Sequence, residues 1–132
     1  MATENNWGFE QADMAERLAT ADDAALDTLQ FGIIGFDEQT VVQRYNTFES
    51  QLAGLNKSRV LGHPLFTSVA PCMNNFLVAQ RFEDALATGD PLDATLDYVL
   101  TLRMRPVKVK LRLLAGSASA MRYVLILRPH PS

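Results

Sequence analysis

The residue whose chemistry stands out in this sequence is its only cysteine, Cys72. It follows Pro71 in the run Ser-Val-Ala-Pro-Cys, and the fixed backbone of a proline can present the thiol to a cavity. A nucleophilic cysteine also needs a base. His63 lies between a glycine and a proline, and His130 lies near the C-terminal end, so neither is an obvious partner. A cysteine hydrolase is therefore disfavoured, and taken alone Cys72 reads as a small, partly buried residue.

Cysteine and histidine content also limits how the chain can be stabilised. A lone cysteine cannot form an intramolecular disulfide, and His63 and His130 are too far apart for a zinc-ligand motif. With 132 residues, 48% of them hydrophobic, the chain can enclose one core without disulfides or metals. We expect a single domain with no structural metal.

Neither a targeting signal nor a membrane segment is visible in the sequence. The longest apolar runs, such as residues 124–127, are far too short to cross a bilayer. The N-terminus Met-Ala-Thr-Glu-Asn-Asn has neither a basic start nor an apolar stretch. We expect a cytoplasmic protein without a membrane partner.

The net charge of −3 conceals two regions of opposite sign. Residues 1–30 contain seven acids and one base, whereas residues 103–112 contain five bases and no acid. The basic segment is either a solvated face of a sheet or a dock for the acidic N-terminal segment. Attraction of this kind weakens as salt is added.

Hydrophobic spacing predicts two short helices near the N-terminus. Met14 and Leu18 are four residues apart, and Leu26 and Leu29 supply the apolar side of a second helix that Thr20 could cap. Each helix is too short to be stable alone in water.

Strands dominate the rest of the pattern. Residues 31–36 and 41–45 predict a hairpin around a polar turn, and three further strands are expected near 94–104, 106–115 and 121–128. Between them, residues 46–72 read as short turns and loops, and residues 75–88 as the longest helix, ended by Gly89. This order predicts an α+β fold with a five-stranded antiparallel sheet and the helices on one face.

Three motifs occur together in this sequence: Tyr45-Asn46 with Glu49, the Val-Ala-Pro-Cys run ending at Cys72, and the segment from Tyr98 through Met104 into Arg-Pro-Val-Lys-Val-Lys. In this combination the chain resembles a known family, the photoactive yellow proteins or xanthopsins, over residues 12–128. The resemblance implies a PAS-like fold, with residues 1–29 as a helical N-terminal cap and residues 30–132 as the photosensor core.

The resemblance implies a covalent ligand and no catalytic turnover. In the family, the matching cysteine holds p-coumaric acid (4-hydroxycinnamic acid) as a thioester, which makes Cys72 the attachment point here. Taken alone, Tyr45 could be a core aromatic and Glu49 an exposed helix residue. The residues implied to bind the chromophore are Tyr45, Glu49, Ala53, Leu55, Val69, Ala70, Pro71, Tyr98, Leu100 and Met104.

The resemblance further implies how light is converted into a signal. Tyr45 and a neutral Glu49 would each donate one O–H hydrogen bond to the chromophore's phenolate. Burial and the nearby phenolate should both raise the pKa of Glu49. After photoisomerisation Glu49 would give up its proton, and the buried charge left behind would favour release of the N-terminal cap.

Some positions depart from the family pattern. Ala53 stands where well-known members have a threonine that joins the tyrosine's hydrogen-bond network, and Leu55 stands where an arginine shields the chromophore. Leucines at 65, 100 and 102 replace common aromatic residues. These changes should alter solvent access and recovery kinetics.

The sequence therefore leaves three candidate functions. The first is a blue-light photoreceptor acting on an unknown signalling protein. The second is an unpigmented PAS-like module that binds a ligand or a protein, which Ala53 and Leu55 support. The third, DNA binding through the basic strand, is disfavoured by the acidic chain and the lack of a nucleic-acid motif.

Overall fold

A computed structural model describes residues 8–101, 106–116 and 121–128. The helices are α1 (Met14–Thr20), α2 (Asp23–Leu26), α3 (Thr47–Ala53), α4 (Lys57–Val60) and α5 (Ala79–Thr88). The strands are β1 (Gly32–Phe36), β2 (Val42–Tyr45), β3 (Leu92–Leu100), β4 (Val107–Ala115) and β5 (Arg122–Leu127). A π-helical turn, Leu65–Val69, and a 3₁₀ turn, Pro71–Met73, precede α5.

The five strands form one antiparallel sheet in the order β2-β1-β5-β4-β3. The predicted hairpin is confirmed, with Ile34 opposite Tyr45 and an irregularity between Gly35 and Phe36. The three later strands are also confirmed, although β3 ends at Leu100, and residues 102–105 of the expected strand lie outside the described residues. The sheet and its helices confirm the predicted α+β class.

The inner face of the sheet carries the main core. Helices α3, α4 and α5 and the two turns cover this face, because alternate strand residues such as Ile34 and Phe36 point toward them. Three phenylalanines meet edge to face at its centre, with ring centroids 4.9 Å apart for Phe36 and Phe82 and 5.6 Å apart for Phe36 and Phe66.

The outer face carries a second core, formed with the N-terminal segment. Phe9, Met14 and Leu18 pack there against Ile33 and Leu125 of the sheet. Helices α1 and α2 therefore bury their apolar side on the sheet, which compensates for their short length.

Two arginines also hold the N-terminal segment by its backbone. Arg112 of β4 is only 6% exposed and donates to the carbonyls of Phe9 at 3.0 Å and Gln11 at 2.9 Å. Arg44 of β2 donates to the carbonyls of Leu18 and Ala21. The basic strand thus serves in part as the predicted dock, through carbonyl oxygens more than through acidic side chains.

Lys108 and Lys110 fit the other interpretation of the basic strand, that it forms a solvated face of the sheet. Both side chains are exposed on the face that carries Arg112, as expected of a solvated sheet face. The strand is therefore a dock for the N-terminal segment at Arg112 and a solvated face at Lys108 and Lys110.

Two local predictions were wrong. The longest helix starts at Ala79 and not at residue 75, because the Asn75 carboxamide oxygen accepts from the backbone N–H groups of Leu77 and Val78, and Phe76 is 77% exposed. Thr20 belongs to α1, and Asp22 is the residue whose side chain caps α2. The predicted end of α5 is confirmed by Gly89, which has a left-handed backbone with φ of 78°.

Candidate functional site

Cys72 lies in the second of two tight turns that follow each other closely in the chain. The N–H of Ala70 donates to the carbonyl of Leu65 at 2.7 Å, an i to i−5 bond that closes the π-helical turn, and Pro71 then starts the 3₁₀ turn. Such single π-helical turns are frequent at functional sites. The Cys72 side chain is half-buried and makes no disulfide.

The backbone of Cys72 is fixed by a residue on the sheet. The hydroxyl of Tyr98 donates to the carbonyl oxygen of Cys72 at 2.5 Å, and the amide of Asn75 donates to the same hydroxyl at 2.6 Å. Tyr98 therefore positions the cysteine through its backbone. Asn75 is a residue that sequence reasoning missed.

A cavity of about 580 Å³ lies beside Cys72. Four more of the predicted chromophore-binding residues line it: Ala53, Leu55, Val69 and Pro71. Ser68 and Thr101 complete the lining. Residues from α3, from the turns and from the end of β3 thus converge on one space next to the only thiol of the chain.

Glu49 lies fully buried on α3, so the reading as an exposed helix residue was wrong. Asn46 fixes the start of this helix, since its side-chain oxygen accepts from the N–H of Glu49 at 3.1 Å and from that of Ile33 at 3.0 Å. Glu49 and Ala53 are four residues apart, so they share one face of α3. Glu49 therefore lies on the side of the helix that also lines the cavity.

Space for the Glu49 carboxyl depends on a glycine in β1. A Cβ atom built on Gly32 would lie 2.0 Å from Oε1 of Glu49, far inside van der Waals contact. Gly32 is on the inner face of the sheet, in register with Ile126 of β5. The close approach of helix and strand requires a residue without a side chain at this position.

The partner of Glu49 is Arg128, which follows β5. Nη1 of Arg128 is 2.5 Å from Oε1 and Nη2 is 3.1 Å from Oε2, so the guanidinium meets both carboxyl oxygens. The Arg128 side chain is 13% exposed. Sequence reasoning missed Arg128, since a single cation after an apolar strand carries no signal of its role.

Two opposing effects act on the pKa of Glu49. Burial raises it, because the charged form loses its hydration, and the hydrogen bonds and charge of Arg128 lower it. Burial is the larger effect, so the pKa of Glu49 stands above its ordinary value. A shift in this direction was expected from the sequence, although the arginine was not.

Tyr45 ends β2 and is buried, with 5% of its surface exposed. Burial raises the pKa of its hydroxyl, the charge of Glu49 raises it further, and Arg128 opposes both. No hydrogen bond among the described residues involves this hydroxyl, and its oxygen is not a fully buried atom. The O–H therefore has capacity to donate to a ligand.

The other predicted residues occupy different places. Ala70 and Leu100 are buried in the main core. Tyr98 is partly buried and also lines a second cleft, with Arg128. Met104 lies outside the described residues, so its predicted role stays a prediction.

Two other kinds of feature are absent from the described ranges, a metal-binding cluster and a membrane-spanning helix. Residues 8–101, 106–116 and 121–128 contain no group of three or more histidine, cysteine or acidic side chains placed to hold a metal ion. Over these same ranges, none of the helices has the length and apolar character needed to span a membrane.

Comparison with known proteins identifies the family. No family model matches the chain. Photoactive yellow protein of Rhodothalassium salexigens is 36% identical over 105 residues, or 80% of this chain and 83% of that protein. Photoactive yellow protein of Halochromatium salexigens is 33% identical over the same shares of the two chains.

A solved structure gives the same result. The photoactive yellow protein domain from the sensor histidine kinase Ppr of Rhodospirillum centenum matches with a TM-score of 0.78 and 34% identity. The match covers 86% of this chain and 98% of that domain. The chain therefore belongs to the photoactive yellow protein family of PAS-like photoreceptors.

Proposed function

We propose that this protein is a blue-light photoreceptor that carries p-coumaric acid as a thioester on Cys72. The observation that carries the proposal is the cavity of about 580 Å³ that lies beside the only thiol and is lined by Ala53, Leu55, Val69 and Pro71. These residues come from separate elements, and each was predicted to contact the chromophore.

The residues present fit this ligand. A thioester needs a cysteine with access to a cavity, and Cys72 is half-buried beside one. A phenolate needs hydrogen-bond donors in a site shielded from water. Tyr45 is a buried residue whose hydroxyl has no hydrogen-bond partner among the described residues, and Glu49 supplies a buried carboxyl whose raised pKa favours the protonated form.

When bound, the hydroxycinnamoyl group supplies the absorption of blue light and a double bond that isomerises. The protein's part is to hold and move a proton. Tyr45 and protonated Glu49 would donate to the phenolate oxygen in the dark, and after illumination Glu49 would transfer its proton to that oxygen and become a carboxylate. A carboxylate has about four lone-pair positions, of which Arg128 occupies two, so a position remains for the proton that Glu49 donates.

We further propose that residues 1–29 act as a cap that leaves the photosensor core, residues 30–132, in the signalling state. Asn46 offers a connection, because its side chain bonds the N–H of Glu49 and donates to the carbonyls of Leu26 and Phe31 at 3.0 Å. A change at Glu49 therefore acts on the residue that holds the end of the cap. Faster hydrogen exchange at the amides of α1 during illumination is the expected result.

The similar domain from a sensor histidine kinase leads us to propose a downstream signalling protein as the partner. A sensory role without catalytic turnover fits this proposal. A cytoplasmic location stays a prediction.

The test is the visible absorption spectrum of the protein after incubation with p-coumaroyl anhydride, in the dark and under blue light. We expect a yellow band that bleaches reversibly in the wild type and is absent in Cys72→Ala. Circular dichroism checks that both proteins are folded.

A well-folded wild type that stays colourless would contradict the proposal. It would favour the second candidate, an unpigmented PAS-like module that binds another ligand or a protein. The observation behind this alternative is that Ala53 and Leu55, without hydrogen-bonding side chains, line the cavity.

A further inference from the structure

The guanidinium of Arg128 carries a positive charge to which the proposed function gives no role. It meets both oxygens of Glu49, at 2.5 Å and 3.1 Å, and also acts electrostatically on Tyr45. The two side chains that would donate to a phenolate are therefore both within the field of this one cation.

A buried phenolate requires a compensating charge. Moving an anion out of water costs several kcal/mol unless a cation or strong donors replace the hydration. Leu55, which lines the cavity, cannot supply a charge. A protonated Glu49 is neutral, so it cannot supply the compensating charge either.

The other cations that the structure describes near this end of the sheet are less suitable. Lys108 and Lys110 line the cleft that Arg128 also lines, but both are exposed, and Lys110 is paired with Asp97 at 2.9 Å. Asp97 is the acid on this cleft, and it is 85% exposed. Among the described residues, Arg128 is thus the cation that contacts Glu49, from the position directly after β5, and its side chain is only 13% exposed.

Three other arginines of the described chain donate to backbone carbonyls away from Glu49. Arg122 donates to the carbonyl of Phe82 on the inner face. Arg44 and Arg112 lie on the outer face, where they hold the N-terminal segment. None of these three faces Glu49.

We propose that Arg128 is the counterion of the chromophore site and compensates the single negative charge that Glu49 and the phenolate share. The proposal rests on the proposed function. In the dark the phenolate holds this charge and Glu49 the proton, and in the signalling state the charge belongs to Glu49. In both cases the cation and one anion sum to zero.

The first measurement follows the pH at which the yellow phenolate band of the pigmented protein is half lost. In Arg128→Gln this midpoint should rise by about one to three pH units, the usual effect of losing an opposite charge at close range. Arg128→Lys should restore part of the shift. Arg81→Gln is the matched control, because it removes the same charge from an exposed position on α5.

Repeating the measurement in the Glu49→Gln variant separates a direct effect of Arg128 on the phenolate from an effect through Glu49. In Glu49→Gln, replacing Arg128 by Gln leaves no unpaired buried charge, so the double variant should fold. The midpoint should still rise when Arg128 is removed from this background. An unchanged midpoint there would overturn the counterion role and leave Arg128 only as the partner of Glu49.

A third readout needs no pigment. The carboxyl carbon of Glu49, followed by NMR in the chromophore-free protein, should titrate at higher pH in Arg128→Gln than in wild type or Arg81→Gln. A pigmented wild type whose band midpoint is the same in Arg128→Gln and Arg81→Gln would overturn the proposal alone. Lack of pigment in the folded wild type would instead overturn the proposed function, and the counterion role with it.

Discussion

The two faces of the sheet use arginines in different ways. On the inner face, Arg128 pairs with a fully buried carboxyl group, Glu49, whose charge depends on pH and on any ligand beside it. On the outer face, Arg112 and Arg44 pair with exposed acids, Asp93 and Asp23, and also donate to backbone carbonyls of the N-terminal segment, which do not titrate. The inner pair therefore places a buried charge under the control of a proton, and the outer contacts hold a segment of chain.

Neighbouring residues of β2 connect the two faces. Tyr45 points into the inner core, and Arg44 points outward to the N-terminal segment and to the hydroxyl of Tyr123. Since successive side chains of a strand alternate in direction, the proposed donor to a ligand and one anchor of the N-terminal segment are adjacent in sequence. A shift of β2 would affect both.

The largest expected effect is on the inner face. Arg128→Ala leaves the fully buried Glu49 without its cation, and breaking a buried pair from one side typically costs about 3–5 kcal/mol of the free energy of unfolding. Urea denaturation of the chromophore-free protein at pH 7 measures this loss. A change below that of Arg81→Ala would show that the pair contributes nothing.

The same pair makes the stability of the inner face depend on pH. The pKa of Glu49 is raised above its ordinary value of 4.5, so the folded state binds more protons than the unfolded state between that value and the raised one. The contribution of Glu49 to stability is thus present below the ordinary value and is lost as pH rises through the raised pKa. Arg128→Ala raises that pKa further, so its deficit should shrink when urea denaturation is repeated at pH 4.

Gly32→Ala should have the next largest effect, about 3 kcal/mol of destabilisation. Its new Cβ atom would meet Oε1 of Glu49 at 2.0 Å, so the strand, α3 or the ion pair must move. Thermal denaturation measures the loss. Gly8→Ala is the control, because nothing lies within 4 Å of a Cβ at that position.

Much of this architecture was predictable from sequence because it depends on local pattern. The alternation of Val109 and Leu111 with Lys108 and Lys110 predicts a strand with one apolar face, and β4 has that form. The position of Cys72 beside residues of α3 was reached only through the family resemblance. The spacing of residues along the chain does not show which segments far apart in sequence come into contact.

The contacts that could not be predicted depend on register between distant strands. Arg128 reaches Glu49 because Gly32 pairs with Ile126, which places the end of β5 beside α3. The exposure of Phe76 was missed for a different reason. Its spacing fits a helix, but the side chain of Asn75 bonds the next backbone N–H groups and delays the helix start.

On the outer face, Arg112→Gln should cost about 2 kcal/mol, the range for hydrogen bonds made by a charged donor. The loss should appear as detachment of the N-terminal segment and not as global unfolding, so exchange at the amide of Ala21, which follows α1 and donates to the carbonyl of Arg17, should quicken at least tenfold. Unlike the inner-face deficit, this effect should not change between pH 5 and pH 8. Lys108→Gln, an exposed change on the same face of β4, should leave the exchange rate as it is.

The inner face also has an uncharged contact that can be compared with the charged pair of Arg128 and Glu49, and its loss should have the smallest effect on stability. Tyr98→Phe removes the hydroxyl that donates to the Cys72 carbonyl and accepts from Asn75, but it keeps the ring, so we expect about 1 kcal/mol of destabilisation. Neither lost partner carries a charge, so the deficit should be constant with pH, in contrast to that of Arg128→Ala. Urea denaturation at pH 4 and pH 7 checks this. A deficit that changes with pH would show that Tyr98 acts on Glu49, and the neutral and charged parts of the site would then be one network.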